Sequence, residues 1–117
     1  VQRVAFQLRI REGCIEAYDQ AHREVWPDLL AELQRFGVRE YSIFRRDRQL
    51  VLYMHVPDFE QLIARLRESD VNRRWQEQMA PLFEPVPDLR EDEPYARMTE
   101  VFYMSGREGD ASQNSPD

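Results

Sequence analysis

The sequence predicts an α+β domain of the ferredoxin-like kind, an antiparallel sheet with helices packed on one face. Three observations carry this: a clean two-residue apolar alternation at the start of the chain, a β-rich hairpin in the middle, and helical stripes in the two intervals that flank the hairpin. The resulting order of strand, helix, strand, strand, helix, strand is the ferredoxin-like order.

The first strand is read over residues 3–10, where Val4, Phe6, Leu8 and Ile10 fall on one face. After Glu12-Gly13 the period lengthens. Ile15, Tyr18, His22, Val25, Trp26, Leu29 and Leu33 recur every three or four residues, as on one side of a helix. Pro27 interrupts that stripe. Proline disfavours helix in the residue before it but suits a first helical turn, so two helical segments meet at Trp26-Pro27 and end at Phe36-Gly37.

Residues 38–45 and 50–56 are β-rich runs joined by Arg46-Asp47-Arg48-Gln49, a hairpin signature. Asp58 is placed to cap a helix, with Gln61 in position for the reciprocal bond and Phe59, Leu62, Ile63 and Leu66 as its apolar stripe. A second cap at Ser69 or Asp70 opens a segment carrying Val71, Trp75 and Met79. The proline- and acid-rich segment 84–97 reads as a connecting loop, and 99–104 as a last strand. One domain thus spans 1–104. The polar, acidic stretch 105–117 reads as a solvated tail.

The later strands lack a clean polar face: Tyr41 and Ile43 alternate with Ser42 and Phe44, and Val51 and Tyr53 with Leu50, Leu52 and Met54. Both sides of the sheet therefore call for cover. Helices supply one side, and a second copy of the chain or a ligand cavity supplies the other, with a two-fold homodimer as the expected solution.

A chain of 117 residues with a net charge of -6, its acids interspersed with arginines, gives no basis for nucleic-acid or acidic-membrane binding and suits a small neutral ligand. No apolar run approaches the roughly 20 residues needed to span a bilayer. Cys14 is the single cysteine, which excludes an internal disulfide framework and points to the cytoplasm. The two histidines are far apart and no Cys- or His-rich spacing surrounds them, so no metal site is expected. Glycine-rich phosphate loops and nucleophile elbows are absent from a sequence with four glycines.

His22 is the leading candidate for chemistry. It lies one turn after Tyr18 and one before Trp26, so an imidazole able to exchange protons near neutrality stands beside a phenol and an indole. Aromatic faces of this kind cover the apolar face of a pyranose. The competing reading is a helix histidine packed against its neighbours, and periodicity alone makes Trp75 a core residue beside Val71 and Met79.

Several pieces in order resemble one family: Ala5-Phe6, Tyr18 with His22, Trp26-Pro27-Asp28-Leu29, Gly37, Tyr41-Ser42-Ile43, Asp70-Val71, Arg74-Trp75, Met79 and Glu100-Val101-Phe102-Tyr103. Over residues 3–104 the chain resembles the L-rhamnose mutarotases. The resemblance implies a fold of the dimeric α+β barrel type and an isomerase of the aldose 1-epimerase kind, acting on a free monosaccharide without cofactor or metal. It implies His22 as proton donor, Tyr18 as its partner, and Tyr41 and Trp75 as substrate contacts, with Trp26 beside them. One departure stands out: Gln76 follows Trp75 where the family often has a second tryptophan. Part of the sugar wall has changed, which leaves L-fucose or a related deoxy-hexose as an alternative to L-rhamnose. From other classes, the alternatives are a haem-handling ferredoxin-like protein and a non-catalytic binding or dimerisation module.

Overall fold

The computed structural model describes residues 1–87 and 89–106. Strand β1 (Gln2–Ile10) is followed by helices α1 (Ile15–Arg23) and α2 (Pro27–Arg35), the hairpin β2 (Glu40–Arg46) and β3 (Gln49–Val56), and helices α3 (Phe59–Arg67) and α4 (Asp70–Met79). A 3₁₀ turn at Ala80–Leu82 leads into the short strands β4 (Phe83–Glu84) and β5 (Ala96–Met98). All pairings are antiparallel: β2 lies on β3, β3 on β1, and the other edge of β1 takes β4 at Arg9 and Ile10 and β5 at Ala5, Phe6 and Gln7. This is the ferredoxin-like arrangement expected from the element order.

Register decides which side chains meet the helices. In β1, Val4, Phe6 and Ile10, and in β3, Leu50, Leu52, Met54 and Val56, are each no more than 5 % exposed. With Phe59 and Leu62 of α3 and Tyr18 of α1 they make the main core. A smaller cluster forms where Leu29, Trp75 and Met79 join α2 to α4. Tyr41, Ile43 and Arg45 sit opposite Met54, Leu52 and Leu50, so these three residues of β2 also point to the helix side.

The helix ends follow local chemistry. Trp26 is extended, at φ -55° and ψ 128°, and its carbonyl accepts from Leu29 and Leu30, so α2 begins afresh on Pro27 as the proline signal requires. At the far end Gly37 takes φ +104°, its N–H donating to the carbonyl of Gln34 while Val38 donates to Leu33, a pairing that ties off the last turn. A Cβ there would lie 3.3 Å from Pro57 Cδ as well as being strained by φ, so glycine is required twice over.

Asp58 caps α3 through the N–H of Gln61 at 3.1 Å. In place of the expected reciprocal bond from the Gln61 side chain, Gln2 of β1 accepts from the N–H of Phe59 at 2.8 Å and so ties α3 to the sheet. Ser69 is the cap of α4, accepting from Asn72 and donating to Glu32 of α2 at 2.7 Å.

The C-terminal region departs from expectation. Segment 84–97 contributes Glu84 to β4 and its last residues to β5, while 99–104, expected as the final strand, makes no strand pairing. Its register along β1 nevertheless continues, because Glu100 meets Arg3 through two bonds of 2.7 and 2.9 Å and the Arg3 guanidinium lies 3.5 Å from the centre of the Tyr103 ring. The reason is geometric. Beyond the Ala5–Met98 pair, β1 has only its first residues left, and the alternating apolar side chains of the segment find no cover within this chain. Val101, Phe102 and Met104 are 86, 76 and 61 % exposed. The expected tail from residue 107 onward lies outside the described residues.

Candidate active site

Helix α1 carries Tyr18 and His22 one turn apart, and the two rings stack at 4.2 Å between centroids with an interplanar angle of 28°. His22 Nδ1 lies 2.9 Å from the backbone carbonyl oxygen of Tyr18. A carbonyl can only accept, so Nδ1 carries the proton and donates, which leaves Nε2 as the nitrogen free for a substrate. The edge of the His22 ring meets Trp75 of α4 at 5.4 Å, and Trp26, at the α1–α2 corner, meets Trp75 at 5.2 Å. Three aromatic side chains spaced four residues apart and Trp75, distant in sequence, thus form one ladder.

Two hollows flank it. One is a cavity of about 430 Å³ between the sheet and helices α2 to α4, mainly apolar, with Tyr41, Tyr95, Trp75, Arg67, Asn72 and Gln76 as its groups able to hydrogen-bond. The other is a cleft of about 320 Å³ lined by Tyr18, Asp19, His22, Arg23, Ile43 and Arg45. The two hollows meet at the His22–Trp75 contact and at the two phenols. Burial first, then the neighbouring Asp19, pushes the Tyr18 phenol up to about 12. Burial, then Tyr18 itself, pushes Tyr41 up as well. Tyr41 is 38 % exposed and lines the cavity, within electrostatic reach of Tyr18.

The structure therefore brings together Tyr18, His22, Trp26, Tyr41 and Trp75. Trp26 lines neither hollow but backs Trp75. Gln76 stands at the cavity's exposed rim, where its amide donates to Asn72 at 3.4 Å. Asp19 and Arg45 are the residues that sequence reasoning missed: Arg45 Nε and Nη2 donate to the two carboxylate oxygens of Asp19 at 2.9 and 2.7 Å. A signal was available for each. Asp19 precedes His22 by three residues on one helix, and Arg45 follows Tyr41 by four on one strand face. Among the described residues no group of three or more His, Cys, Asp and Glu side chains converges as metal ligands would.

Residues 3–104 match the family model described as L-rhamnose mutarotase. The chain belongs to the L-rhamnose mutarotase family. An L-rhamnose mutarotase from Oceanobacillus iheyensis is 31 % identical over 107 residues, covering 89 % of this chain and 99 % of the relative. Among solved structures, an L-rhamnose mutarotase from Formosa agariphila superimposes with a TM-score of 0.72 at 29 % identity, covering 90 % of this chain and all of that one. The tetracenomycin F2 cyclase of Streptomyces glaucescens has a TM-score of 0.59 at 21 % identity over 92 % of this chain and 99 % of its own, which is a likeness of fold alone. Within the L-rhamnose mutarotase family, this member carries its Tyr18–His22 pair at the junction of an apolar cavity and a polar cleft.

Proposed function

We propose that this protein interconverts the α and β anomers of L-rhamnose by acid–base opening and closing of the pyranose ring. The observation that carries the reading is the free Nε2 of His22, held by the Nδ1 bond to Tyr18 and flanked by the rings of Tyr18 and Trp75. Family membership supplies the reaction class.

Mutarotation needs a proton delivered to the ring oxygen and one removed from the anomeric hydroxyl; the open-chain aldehyde then rotates and closes from its other face. His22 exchanges the proton at the ring oxygen. The Tyr18 phenol, pushed up to about 12, stays protonated at neutral pH, so it orients the anomeric hydroxyl by hydrogen bonding, directly or through water, and does not act as a free base. Trp75 and Tyr41 hold the sugar's apolar face, and Gln76 offers a hydrogen-bonding edge at the rim. No electron moves in this reaction: His22, as imidazolium, gives its Nε2 proton to the ring oxygen while the anomeric hydroxyl's proton passes to a water beside Tyr18, and ring closure reverses both transfers.

The test is anomer exchange on L-rhamnose followed by NMR saturation transfer. Wild type accelerates exchange and His22→Ala slows it by roughly 10²-fold or more, the usual size of a positioned proton-transfer group. Undiminished exchange in His22→Ala removes the mechanism, and acceleration on L-fucose with none on L-rhamnose moves the substrate. Family membership does not favour the haem-handling and binding-module readings.

The working form is a homodimer. Supporting this, β2 is a sheet edge with six of its seven residues exposed, Phe44 is 65 % exposed, and the unpaired segment 99–104 displays Val101, Phe102 and Met104. A second copy laid on these surfaces buries them. Light scattering should give twice the chain mass, and Val101→Glu with Phe102→Glu should give the monomer; a monomeric wild type defeats the reading. A cytoplasmic site of action fits the single Cys14. Among the described residues no helix is long and apolar enough to cross a membrane.

A further inference from the structure

The cleft beside His22 contains charges that the proton transfers above do not use. Asp19 stands three residues before His22, on the same side of α1. Arg45 reaches it from β2, and each of its guanidinium nitrogens has a partner: Nε and Nη2 bond the two oxygens of Asp19, and Nη1 donates at 3.1 Å to the carbonyl of Asp47 in the hairpin turn. Asp47 holds the turn at φ +51°. Each partner of the ion pair is about one-third exposed, at 32 %, so the pair is neither dry nor fully screened.

We propose that Asp19 and Arg45 are a positioning pair that fixes α1 against β2 and whose opposite charges balance each other in the cleft beside His22. This rests on His22 being the proton-transfer group of the reaction above. The groups facing His22 are few. From α1 these are Tyr18, which stays neutral, Asp19, and Arg23, whose guanidinium bonds the Gln20 side chain. From β2 it is Arg45. From helix α4 the uncharged Trp75 ring meets His22 edge-on.

An unpaired carboxylate at position 19 favours imidazolium at His22, and an unpaired guanidinium at position 45 disfavours it. Bound to each other, the two charges largely cancel at the imidazole. The pair thus lets a polar cleft hold the two chain elements together with its own two charges balanced. It also links the strand that carries Tyr41 to the helix that carries His22.

The experiment is an NMR titration of the imidazole C–H signals in the full chain. Two histidines make assignment direct, and His55, on the sheet face away from the helices, is the internal reference. Arg45→Met should raise the His22 midpoint by roughly half a pH unit, Asp19→Asn should lower it by a similar amount, and the double variant should return it to near wild type. Arg45→Lys keeps the charge but loses the fork, so its midpoint should stay close to wild type; if Arg45→Met folds poorly, Arg45→Gln removes the charge with a polar side chain and should raise the midpoint likewise. Shifts in the same direction for both single variants, or no shift in any, overturn the proposal. The titration needs no turnover. Exchange that persists in His22→Ala removes the catalytic reading, while a failure of the opposed shifts removes the positioning pair.

Discussion

The two hollows on either side of the Tyr18–His22–Trp75 ladder are built from different chemistry. The larger is walled mostly by aliphatic and aromatic side chains from the sheet and three helices, with Tyr41, Tyr95, Trp75, Arg67, Asn72 and Gln76 as its hydrogen-bonding groups. The smaller has an imidazole, a carboxylate and two guanidinium groups around Ile43 and the Tyr18 ring. The apolar side can grip a sugar but offers no proton-transfer group, and the polar side can move protons but offers little surface to grip. His22 sits where they touch. Under the proposed function, binding falls to the apolar wall and proton transfer to the polar one, so substitutions should separate them.

The largest effect should come from the apolar wall. Trp75 is 7 % exposed and touches Leu29, Met79, His22 and Trp26, so Trp75→Ala should lose about 3–5 kcal/mol of stability in denaturant unfolding. Trp75→Phe, which keeps the fold better, should raise KM for the sugar more than it lowers kcat. A variant whose kcat falls while KM holds breaks the division between the two walls.

An intermediate effect is expected in alkali. The Tyr18 phenol is raised from 10.0 to about 12 in the folded chain. Below pH 10 the residue is protonated in both states and contributes no pH dependence. Above it the unfolded chain releases its proton first, so stability should fall by about 2–3 kcal/mol between pH 10 and 12. Burial raises Tyr41 in the same direction and adds to the loss. Tyr18→Phe should flatten this alkaline limb in thermal melts; an unchanged limb would show that the phenol's burial is not what shapes it.

The smallest effect belongs to the rim. Gln76 is exposed and held by one long bond to Asn72, so Gln76→Ala should change stability by less than about 0.5 kcal/mol and shift KM by no more than a few-fold. A large change in KM would move the sugar's main contact from the inner wall to the rim, and Gln76→Trp would then be the informative variant.

Much of the scaffold was legible because it follows from local rules. Two-residue alternation placed Val4, Phe6 and Ile10 inward, Pro27 divided the helical stripe, Gly37 closed α2, and Asp58 capped α3, each through chemistry within a few residues. The Tyr18–His22 stack was legible for the same reason, being one turn of one helix. The contact of His22 with Trp75 was not, because 53 residues of chain separate them and only the packing of α4 against α2 and α1 closes that distance. Segment 99–104 shows the opposite failure. Its alternation has the pattern of a strand, but pairing is a property of the neighbour, and β1 has little edge left to offer within one chain.

The sequence by itself determined the element order, the caps, the aromatic and imidazole groups available and the family resemblance, because each depends on side-chain type and short spacing. Tertiary structure alone decided that Tyr41 comes within electrostatic reach of Tyr18, that Arg45 crosses to Asp19, and that a polar cleft adjoins an apolar cavity at His22. Those are contacts between elements, and they exist only once the sheet register and the burial of the core have set which face of each strand meets which helix.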